Sequence, residues 1–385
     1  MRLFRRQLAL VVLVITPVLT SGPADAAPAG AEPRPSARER LVAGLAGAET
    51  AEQVAGLLPV LDELDTRPGV AEDGELVARV ADTAVHVGTL DIAASLYDRL
   101  VAEWPETHAV QGWYGRGTVH ETRDERDAAI DAYQRVVALA AAREAAGDRS
   151  VTSLRLQAYA RLGPLYEDAG RWAEALESWR AYRPTSWCGN CADALARRRR
   201  RAIARAWFHL GQVDRALDEL WSAALETNNL HPWNDLRAVF DFIDLAVRVE
   251  RLAEVHDLLR RLQPRARELA VPDARAAEAW LRRDPEGILA ALAGSPYRPD
   301  ADGAVPIPVV HAARWLADLG GEGRRVARRH LERGDLVAAW IVSTARIDAL
   351  RGEVEALRRR LAGEDARTVA AMLEAWNEKD ADPRD

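Results

Sequence analysis

The chain has 385 residues, which is long for one compact domain, so two or three units or one extended repeat array is expected. It is 48% hydrophobic and 29% charged but only 6% aromatic, with two cysteines and a formal net charge of −7. This composition excludes a multi-span membrane protein, a disulfide-stapled mini-domain and a disordered acidic chain. The net negative charge of the chain also argues against general binding to nucleic acid or to anionic membranes.

The first 26 residues have the three parts of a secretory signal peptide. A basic start precedes an apolar run of about a dozen residues, and the small-x-small triplet Ala24-Asp25-Ala26 follows as a cleavage site. Because the apolar run is short and contains Pro17, it predicts cleavage rather than membrane insertion, with an uncleaved anchor as the alternative. We therefore expect an exported protein of the periplasm, cell envelope or extracellular space. Residues 27–35 are expected to form a disordered leader.

A short pattern recurs along the rest of the chain: a small residue, a turn residue seven positions later, and a second small residue five positions after that. The clearest copies are Ala81, Gly88 and Ala93; Gly117, Asp124 and Ala129; Gly163, Gly170 and Ala175; and Ala204, Gly211 and Ala216. Weaker copies are Ile243, Glu250 and Val255; Ala277, Asp284 and Leu289; and Ala327, Gly334 and Ala339. Small residues let two antiparallel helices approach closely, and glycine ends the first helix. Each pair leaves an apolar face uncovered, so the pairs are expected to stack.

This pattern resembles the tetratricopeptide repeat (TPR), and residues 156–184, LQAYARLGPLYEDAGRWAEALESWRAYRP, match it best. The resemblance implies an all-α solenoid of about five clear plus two degenerate TPR-like helical hairpins, with the repeat array over residues 74–295. Another type of α-solenoid is the alternative. In tetratricopeptide proteins the first helices line a concave groove that binds other proteins or peptides.

Two flanking regions complete the predicted architecture. Residues 36–68 are expected to form capping helices, and residues 296–308 a Pro-rich connection. In the C-terminal helical unit, residues 309–378, apolar residues alternate at spacings of four and three, which is a short heptad seam. Its members are Leu336, Trp340, Ser343, Ile347, Leu350, Val354, Leu357 and Leu361. The seam predicts a long helix, covered by a last helix that packs on it, or alternatively a dimerising coiled coil.

The two cysteines form one motif, Trp187-Cys188-Gly189-Asn190-Cys191. It resembles the active site of thioredoxin-like oxidoreductases over these five residues only, and no βαβ pattern surrounds it. A local disulfide between Cys188 and Cys191 is predicted for an exported chain. A redox-active pair and half of a zinc site remain the alternatives, the latter needing ligands from elsewhere.

Five consecutive arginines, residues 197–201, are the strongest charge feature of the chain. On a helix, Arg198, Arg201 and Arg205 fall on one stripe. The resemblance places this stripe in the groove, where Gln157, Tyr114 and Arg237 hold equivalent places. We predict that these six residues bind a peptide, with the arginines contacting acidic side chains or a C-terminal carboxylate. The alternative is an ordinary surface whose arginines are solvated or paired with glutamate.

Enzyme signatures are missing from the sequence. It has no His-Glu-x-x-His pair, no phosphate-binding glycine loop, no Gly-x-Ser-x-Gly elbow and no calcium loop. We therefore expect no catalytic residue, no metal and no cofactor. The sequence predicts a non-enzymatic protein-protein interaction scaffold of the bacterial cell envelope, with thiol-disulfide redox activity as the alternative function.

Overall fold

The computed structural model describes residues 35–64, 70–184, 189–226, 236–300 and 304–380. These residues form α-helices joined by short turns, with one 3-10 helix and no β-strand among them. None of the described helices is both long enough and apolar enough to cross a membrane. The predicted signal peptide, residues 1–26, lies outside the described residues, as does all of the predicted leader except its last residue.

The helices fall into an N-terminal pair, a run of six pairs and a C-terminal group. The N-terminal pair is α1 (Ala37–Leu45) and α2 (Ala51–Glu63). The six pairs are α3 (Ala71–His86) and α4 (Leu90–Glu103), α5 (Ala109–Thr122) and α6 (Arg126–Ala145), α7 (Thr152–Asp168) and α8 (Trp172–Ala181), α9 (Gly189–His209) and α10 (Val213–Glu226), α11 (Arg237–Arg248) and α12 (Leu252–Arg261), and α13 (Pro264–Leu281) and α14 (Pro285–Leu292). The C-terminal group is α15 (Ile307–Asp318), α16 (Gly320–Glu332), α17 (Leu336–Ala345), α18 (Arg351–Arg358) and α19 (Gly363–Asp380).

The six pairs stack into an array. The two helices of each pair pack against each other, and each second helix contacts the first helix of the next pair at all five steps. First helices also contact across pairs, as α3 does with α5, α5 with α7 and α9 with α11. The predicted all-α, TPR-like solenoid is therefore confirmed.

The turns between paired helices are formed by the residues that the repeat pattern picks out. Six of the seven predicted turn positions have a positive φ angle, namely Gly88, Asp124, Gly170, Gly211, Glu250 and Gly334. The seventh prediction, Asp284, is displaced by one residue, because Arg283 has the positive φ of 56°. Asp284 instead caps α14, since its carboxylate accepts a hydrogen bond from the backbone N–H of Gly287 at 2.9 Å.

The small residues of the pattern lie where the paired helices touch. A Cβ atom built on Gly117 would lie 2.6 Å from the ring of Tyr133, closer than any real Cβ contact. The four alanines that follow the turns in the clear copies are fully buried: Ala93, Ala129, Ala175 and Ala216. The close approach of each pair therefore depends on these positions, as the pattern predicts.

The N-terminal pair begins with two well-formed helix caps. The Ser36 hydroxyl accepts from the N–H of Glu39, and the Glu39 carboxylate accepts from the N–H of Ser36. Thr50 and Gln53 form the same reciprocal box at the start of α2. Leu41 and Leu57 of this pair join the core formed by α3 and α4, which buries the apolar face at this end of the array.

The C-terminal region differs from the long helix that the heptad seam predicts. Arg346 has a left-handed backbone with a φ of 49°, and it ends α17. A 3-10 helix, Asp348–Leu350, follows before α18 begins. Because the seam bends here, Val354 and Leu357 are still buried, but on a separate helix. Across residues 304–380, which the structure describes without a gap, there is no continuous helix of the kind that a dimerising coiled coil requires.

The apolar core is continuous across the predicted Pro-rich connection. One cluster of buried residues extends from Ala204 in α9 to Met372 in α19. It joins α13 to α15, which lie on either side of residues 296–308. Within the described residues, the C-terminal helices therefore share their core with the end of the repeat array.

Candidate functional site

Helix α9 presents one stripe of basic residues that ends in an exposed aromatic ring. Arg198, Arg201, Arg205 and Phe208 are separated by three, four and three positions, so they share one side of the helix. Arg198, Arg205 and Phe208 are exposed, while Arg201 is half-buried. The sequence therefore predicts the position of the three arginines on a common face correctly.

Two of these arginines are bound by carboxylates of neighbouring first helices. Arg201 donates from Nε to Oδ2 of Asp241 in α11, at 2.6 Å. Arg205 donates from Nη2 to Oε2 of Glu167 in α7, at 2.9 Å, and from Nε to the same oxygen at 3.2 Å. Both arginines thus join α9 to an adjacent repeat, which corresponds to the paired-surface alternative. Arg198 makes no ion pair within the described residues.

An equivalent contact joins the preceding repeats. Arg161 of α7 donates from Nη1 to Oε1 of Glu121 in α5 at 3.2 Å. The three ion pairs Glu121–Arg161, Glu167–Arg205 and Arg201–Asp241 therefore connect α5, α7, α9 and α11 in sequence, and we call them the ion-pair ladder. The sequence separations of their partners are 40, 38 and 40 residues, about one repeat each.

Two carboxylates of the ladder are also held by aromatic donors from the second helix of their own pair. The hydroxyl of Tyr133 donates to Glu121 at 2.9 Å, and the indole N–H of Trp179 donates to Glu167 at 2.6 Å. Burial, followed by the nearby Glu121 carboxylate, raises the pKa of Tyr133 well above its usual range, so its hydroxyl stays protonated and able to donate. These bonds fix the carboxylates on the first-helix side of the array.

This arrangement stops at α9. Glu121 and Glu167 each follow the small residue of their first helix by four positions, and the residue at that position in α9 is Phe208. The second-helix aromatic that pairs with each glutamate is replaced in α10 by Leu220. The ring of Phe208 packs edge-on against that of His209, with centroids 5.6 Å apart, and 36% of the residue is exposed to solvent.

The other arginines of the run have different partners. Arg199 donates from Nε to the carbonyl of Trp179 at 2.8 Å and from Nη2 to that of Arg180 at 3.2 Å, which caps the C-terminal end of α8. Burial, together with neighbouring arginines, lowers the pKa of Arg199. Arg200 pairs with Glu219 at 3.2 Å and with Glu226 at 3.1 Å. Arg197 is buried, and its Nε has no hydrogen-bond partner among the residues that the structure describes.

The remaining predicted binding residues, Gln157, Tyr114 and Arg237, lie on other helices than the arginines of α9. Gln157 is exposed on α7, and Tyr114 is half-buried on α5, with its ring centroid 5.4 Å from that of Tyr133. Neither forms a hydrogen bond or ion pair with the arginines of α9 among the described residues. Arg237 is the first residue of α11.

The predicted cysteine motif is only partly described. Cys188 lies outside the described residues, while Cys191 is an exposed residue in the first turn of α9. The disulfide, the redox-active pair and the zinc site thus stay predictions. Within the described ranges, which omit Cys188, no group of three or more His, Cys, Asp or Glu side chains is arranged to hold a metal ion.

Sequence reasoning missed Asp241 and Phe208, and it did not pair Glu167 with Arg205. A signal for the ion pairs exists, because each pair joins opposite charges about one repeat apart on first helices. Aligning the copies of the pattern does not single out Phe208, because Val85, Val247, Leu281 and Leu331 are also apolar at that position.

The chain is similar to several solved structures at low sequence identity. No family model matches the chain, and no curated protein matches it either. Among solved structures, "MamA AMB-1" is 19% identical and covers 49% of this chain and 98% of its own, with a TM-score of 0.33. The complex of Naa15/Naa10 bound to HypK-THB is 15% identical and covers 88% of this chain and 55% of that chain, with a TM-score of 0.38. A Rap protein complexed with competence and sporulation factor is 11% identical and covers 84% and 86%, with a TM-score of 0.33.

The turns and helix contacts themselves define the class of this protein. Paired antiparallel helices, small residues at their contact and a left-handed turn residue between them recur along the array. The chain is therefore an all-α, TPR-like helical repeat protein.

Proposed function

We propose that this protein is a non-enzymatic scaffold that binds another protein or a peptide on the first-helix side of its array, at α9. The observation that carries the proposal is the exposure of Phe208 in line with three arginines. Aromatic side chains and arginine are the residues most enriched at the centres of protein interfaces. The two preceding repeats have a hydrogen-bonded glutamate at the equivalent position. The other copies have an apolar residue there that is buried or half-buried, namely Val85, Val247, Leu281 and Leu331, so the exposure of the Phe208 ring is the local departure.

The ligand that fits this surface is an acidic polypeptide segment with an apolar side chain. Arg198 is exposed and has no carboxylate partner among the described residues, and the side chain of Arg205 is 47% exposed despite its contact with Glu167. Guanidinium groups bind carboxylates through paired hydrogen bonds, and Phe208 offers a place for the apolar group. The choice of partner therefore depends on charge as well as on apolar contact.

We propose further that the scaffold works in the cell envelope or outside the cell. The support is the pattern of residues 1–26, which has a basic start, a short apolar run and a small-x-small site. Mass spectrometry of the N-terminal peptide of the protein recovered from its producing cell tests this directly. A mature chain that begins at Ala27 is expected, and an intact N-terminus on a cytoplasmic protein would contradict it.

Capture from envelope extract tests the binding surface. The protein is compared with the double variant Arg198→Glu and Phe208→Ser, which leaves the ion-pair ladder intact. A matched control, Arg358→Glu and Leu139→Ser, makes the same two chemical changes at exposed residues of α18 and α6, and Arg358, like Arg198, has no carboxylate partner among the described residues. All three forms must first give the same helical circular dichroism.

The comparison has two informative outcomes. We expect a partner that the wild type and the control retain and the α9 variant loses, and the same order of affinities when that partner is purified and titrated. If the α9 variant and the wild type bind every partner equally, the α9 surface is not the binding site. Charge reversal at Arg201 or Arg205 would be a poorer test, because it would place glutamate beside Asp241 or Glu167.

A further inference from the structure

We infer that Glu167 and Asp241 are internal competitors for the ligand, occupying the two arginines that the ligand's carboxylates would bind. The inference rests on the proposed function and adds a statement about what the site recognises and how tightly. A bound segment would place one carboxylate on Arg205 in place of Glu167 and another on Arg201 in place of Asp241.

The contacts of Arg205 already show how this site receives a carboxylate. Both oxygens of Glu167 accept from Arg205, with Nη2 at 2.9 Å from Oε2 and 3.3 Å from Oε1, and Nε at 3.2 Å from Oε2. This is the forked arrangement in which guanidinium groups recognise carboxylates. The guanidinium of Arg205 can therefore bind a carboxylate of a ligand in the same way.

The exchange at Arg205 starts from a guanidinium that a ligand can reach from solvent. The side chain of Arg205 is 47% exposed, although that of its partner Glu167 is only 14% exposed. Glu167 would also keep its hydrogen bond from the indole N–H of Trp179, at 2.6 Å. Its carboxylate is therefore not left without a donor when Arg205 turns to the ligand.

The exchange at Arg201 involves a less exposed pair. The side chain of Arg201 is 15% exposed and that of Asp241 25%. A carboxylate that reaches Arg201 must approach along the stripe from its exposed neighbours, Arg198 and Arg205. We therefore expect the second carboxylate of a ligand to bind more weakly than the first.

The spacing of the arginines specifies the spacing of the ligand's acidic residues. Arg201 and Arg205 are four residues apart on a helix, which separates them by about 6 Å along its axis. Alternate residues of an extended chain are about 6.6 Å apart and point to the same side. Two acidic residues at alternate positions match the two arginines, and a following apolar residue on the same side reaches toward Phe208.

Two synthetic hexapeptides of identical composition test this spacing. The first, Ser-Glu-Ser-Glu-Ser-Leu, has its acidic residues at alternate positions, and the second, Ser-Glu-Glu-Ser-Ser-Leu, has them adjacent. Each carries an N-terminal fluorescein, and binding is followed by fluorescence anisotropy at low ionic strength, where ion pairs are strongest. We expect the wild type to bind the first peptide more tightly than the second.

The internal competitors are tested with the double variant Glu167→Gln and Asp241→Asn. Glutamine at position 167 still accepts the hydrogen bond of Trp179, so the helix contact is retained. A control variant, Glu174→Gln and Asp257→Asn, removes two carboxylates from ion pairs on the second helices α8 and α12. The first variant is expected to bind the alternating peptide roughly threefold to tenfold more tightly than the control does.

Each result bears on a different claim. Equal affinity of the two variants for the alternating peptide would overturn the internal competition, while the capture experiment with Arg198→Glu and Phe208→Ser would still decide the proposed function. Equal affinity of the wild type for both peptides would overturn the spacing argument. If no form binds either peptide, the assignment of carboxylates as the ligand's recognised groups is wrong.

Discussion

Gly163 of α7 lies directly against the indole of Trp179 in α8, so closely that a Cβ atom on the glycine would be 2.5 Å from Cε2 of the ring. The same indole donates to Glu167, one turn further along α7. The packing of this helix pair and the position of a carboxylate on the first-helix side therefore depend on the same side chain.

Replacing Gly163 with alanine should destabilise the protein. The added methyl group would displace Trp179, and overpacking of this kind costs about 1–3 kcal/mol, which exceeds the roughly 1 kcal/mol that alanine gains in a helix. A lower thermal midpoint, followed by circular dichroism, is the expected result. Gly56 provides the control, because it lies within α2 with no atom within 4 Å of its Cβ position. Gly56→Ala should raise the midpoint, and a higher midpoint for Gly163→Ala would contradict the packing described here.

A second prediction concerns the turn residues that are not glycine. Glu250 has a φ of 61° and is exposed, so its side chain adds strain to the turn without forming part of the core. Glu250→Gly should stabilise the protein by up to about 1 kcal/mol, after allowing for the greater freedom of glycine in the unfolded chain. The converse change, Gly170→Ala at a φ of 69°, should destabilise it. Denaturation of both variants checks the pair, and a shift in the same direction for both would contradict the strain argument.

The repeat array could be predicted because its signals are local. A small residue and a turn residue seven positions later act within one hairpin, so their spacing is preserved in the sequence. The displaced turn at Arg283 was not predictable from that spacing, because Asp284 can serve either as a turn residue or as a helix cap. The end of α17 at Arg346 was not predictable either, because no glycine marks it and the heptad spacing continues through this position.

The candidate site was harder to predict because it depends on contacts between repeats. The sequence places Arg198, Arg201 and Arg205 on one face, but the partners of the last two lie 40 and 38 residues away. These separations along the sequence indicate contacts only when neighbouring repeats are known to lie side by side in the array.

The ion pair between Arg201 and Asp241 should couple neighbouring repeats measurably. Because both side chains are largely shielded from solvent, we expect a coupling energy of about 1 kcal/mol in a double-mutant cycle of Arg201→Ala and Asp241→Ala. Chemical denaturation of the two single variants and the double variant gives this energy. The more exposed pair, Arg265 and Glu268, serves as the reference. A coupling no larger than that of the reference pair would show that the contact does not join the repeats energetically.

The stability of the protein should depend on pH through His330. Burial lowers the pKa of His330, but hydrogen bonds to Asp335 at 2.7 Å and Glu286 at 2.6 Å outweigh this and raise it above its ordinary value of 6.5. A raised pKa in the folded state means that the protonated ring stabilises the fold fully below about pH 6.5, and that this contribution is lost as the pH rises through the folded value. The contacts join α16 to α14 and α17.

Thermal denaturation between pH 6 and 8.5 tests the role of His330. The wild type should lose more stability over this range than His330→Gln, whose side chain does not titrate. The two proteins should differ most at the acidic end. Parallel pH profiles for the two proteins would contradict the assignment, as would a larger difference at pH 8.5 than at pH 6.

The most direct measurement of the central claim is site-specific photo-crosslinking at the exposed ring of α9. Benzoylphenylalanine is placed at position 208, and separately at position 139, where Leu139 is similarly exposed on the second helix α6. After irradiation in the producing cell, the account predicts one specific adduct with a partner protein from position 208, lost when Arg198 is changed to Glu, and none from position 139. Absence of an adduct at position 208, or the same adducts at both positions, would contradict a binding site on this face of α9.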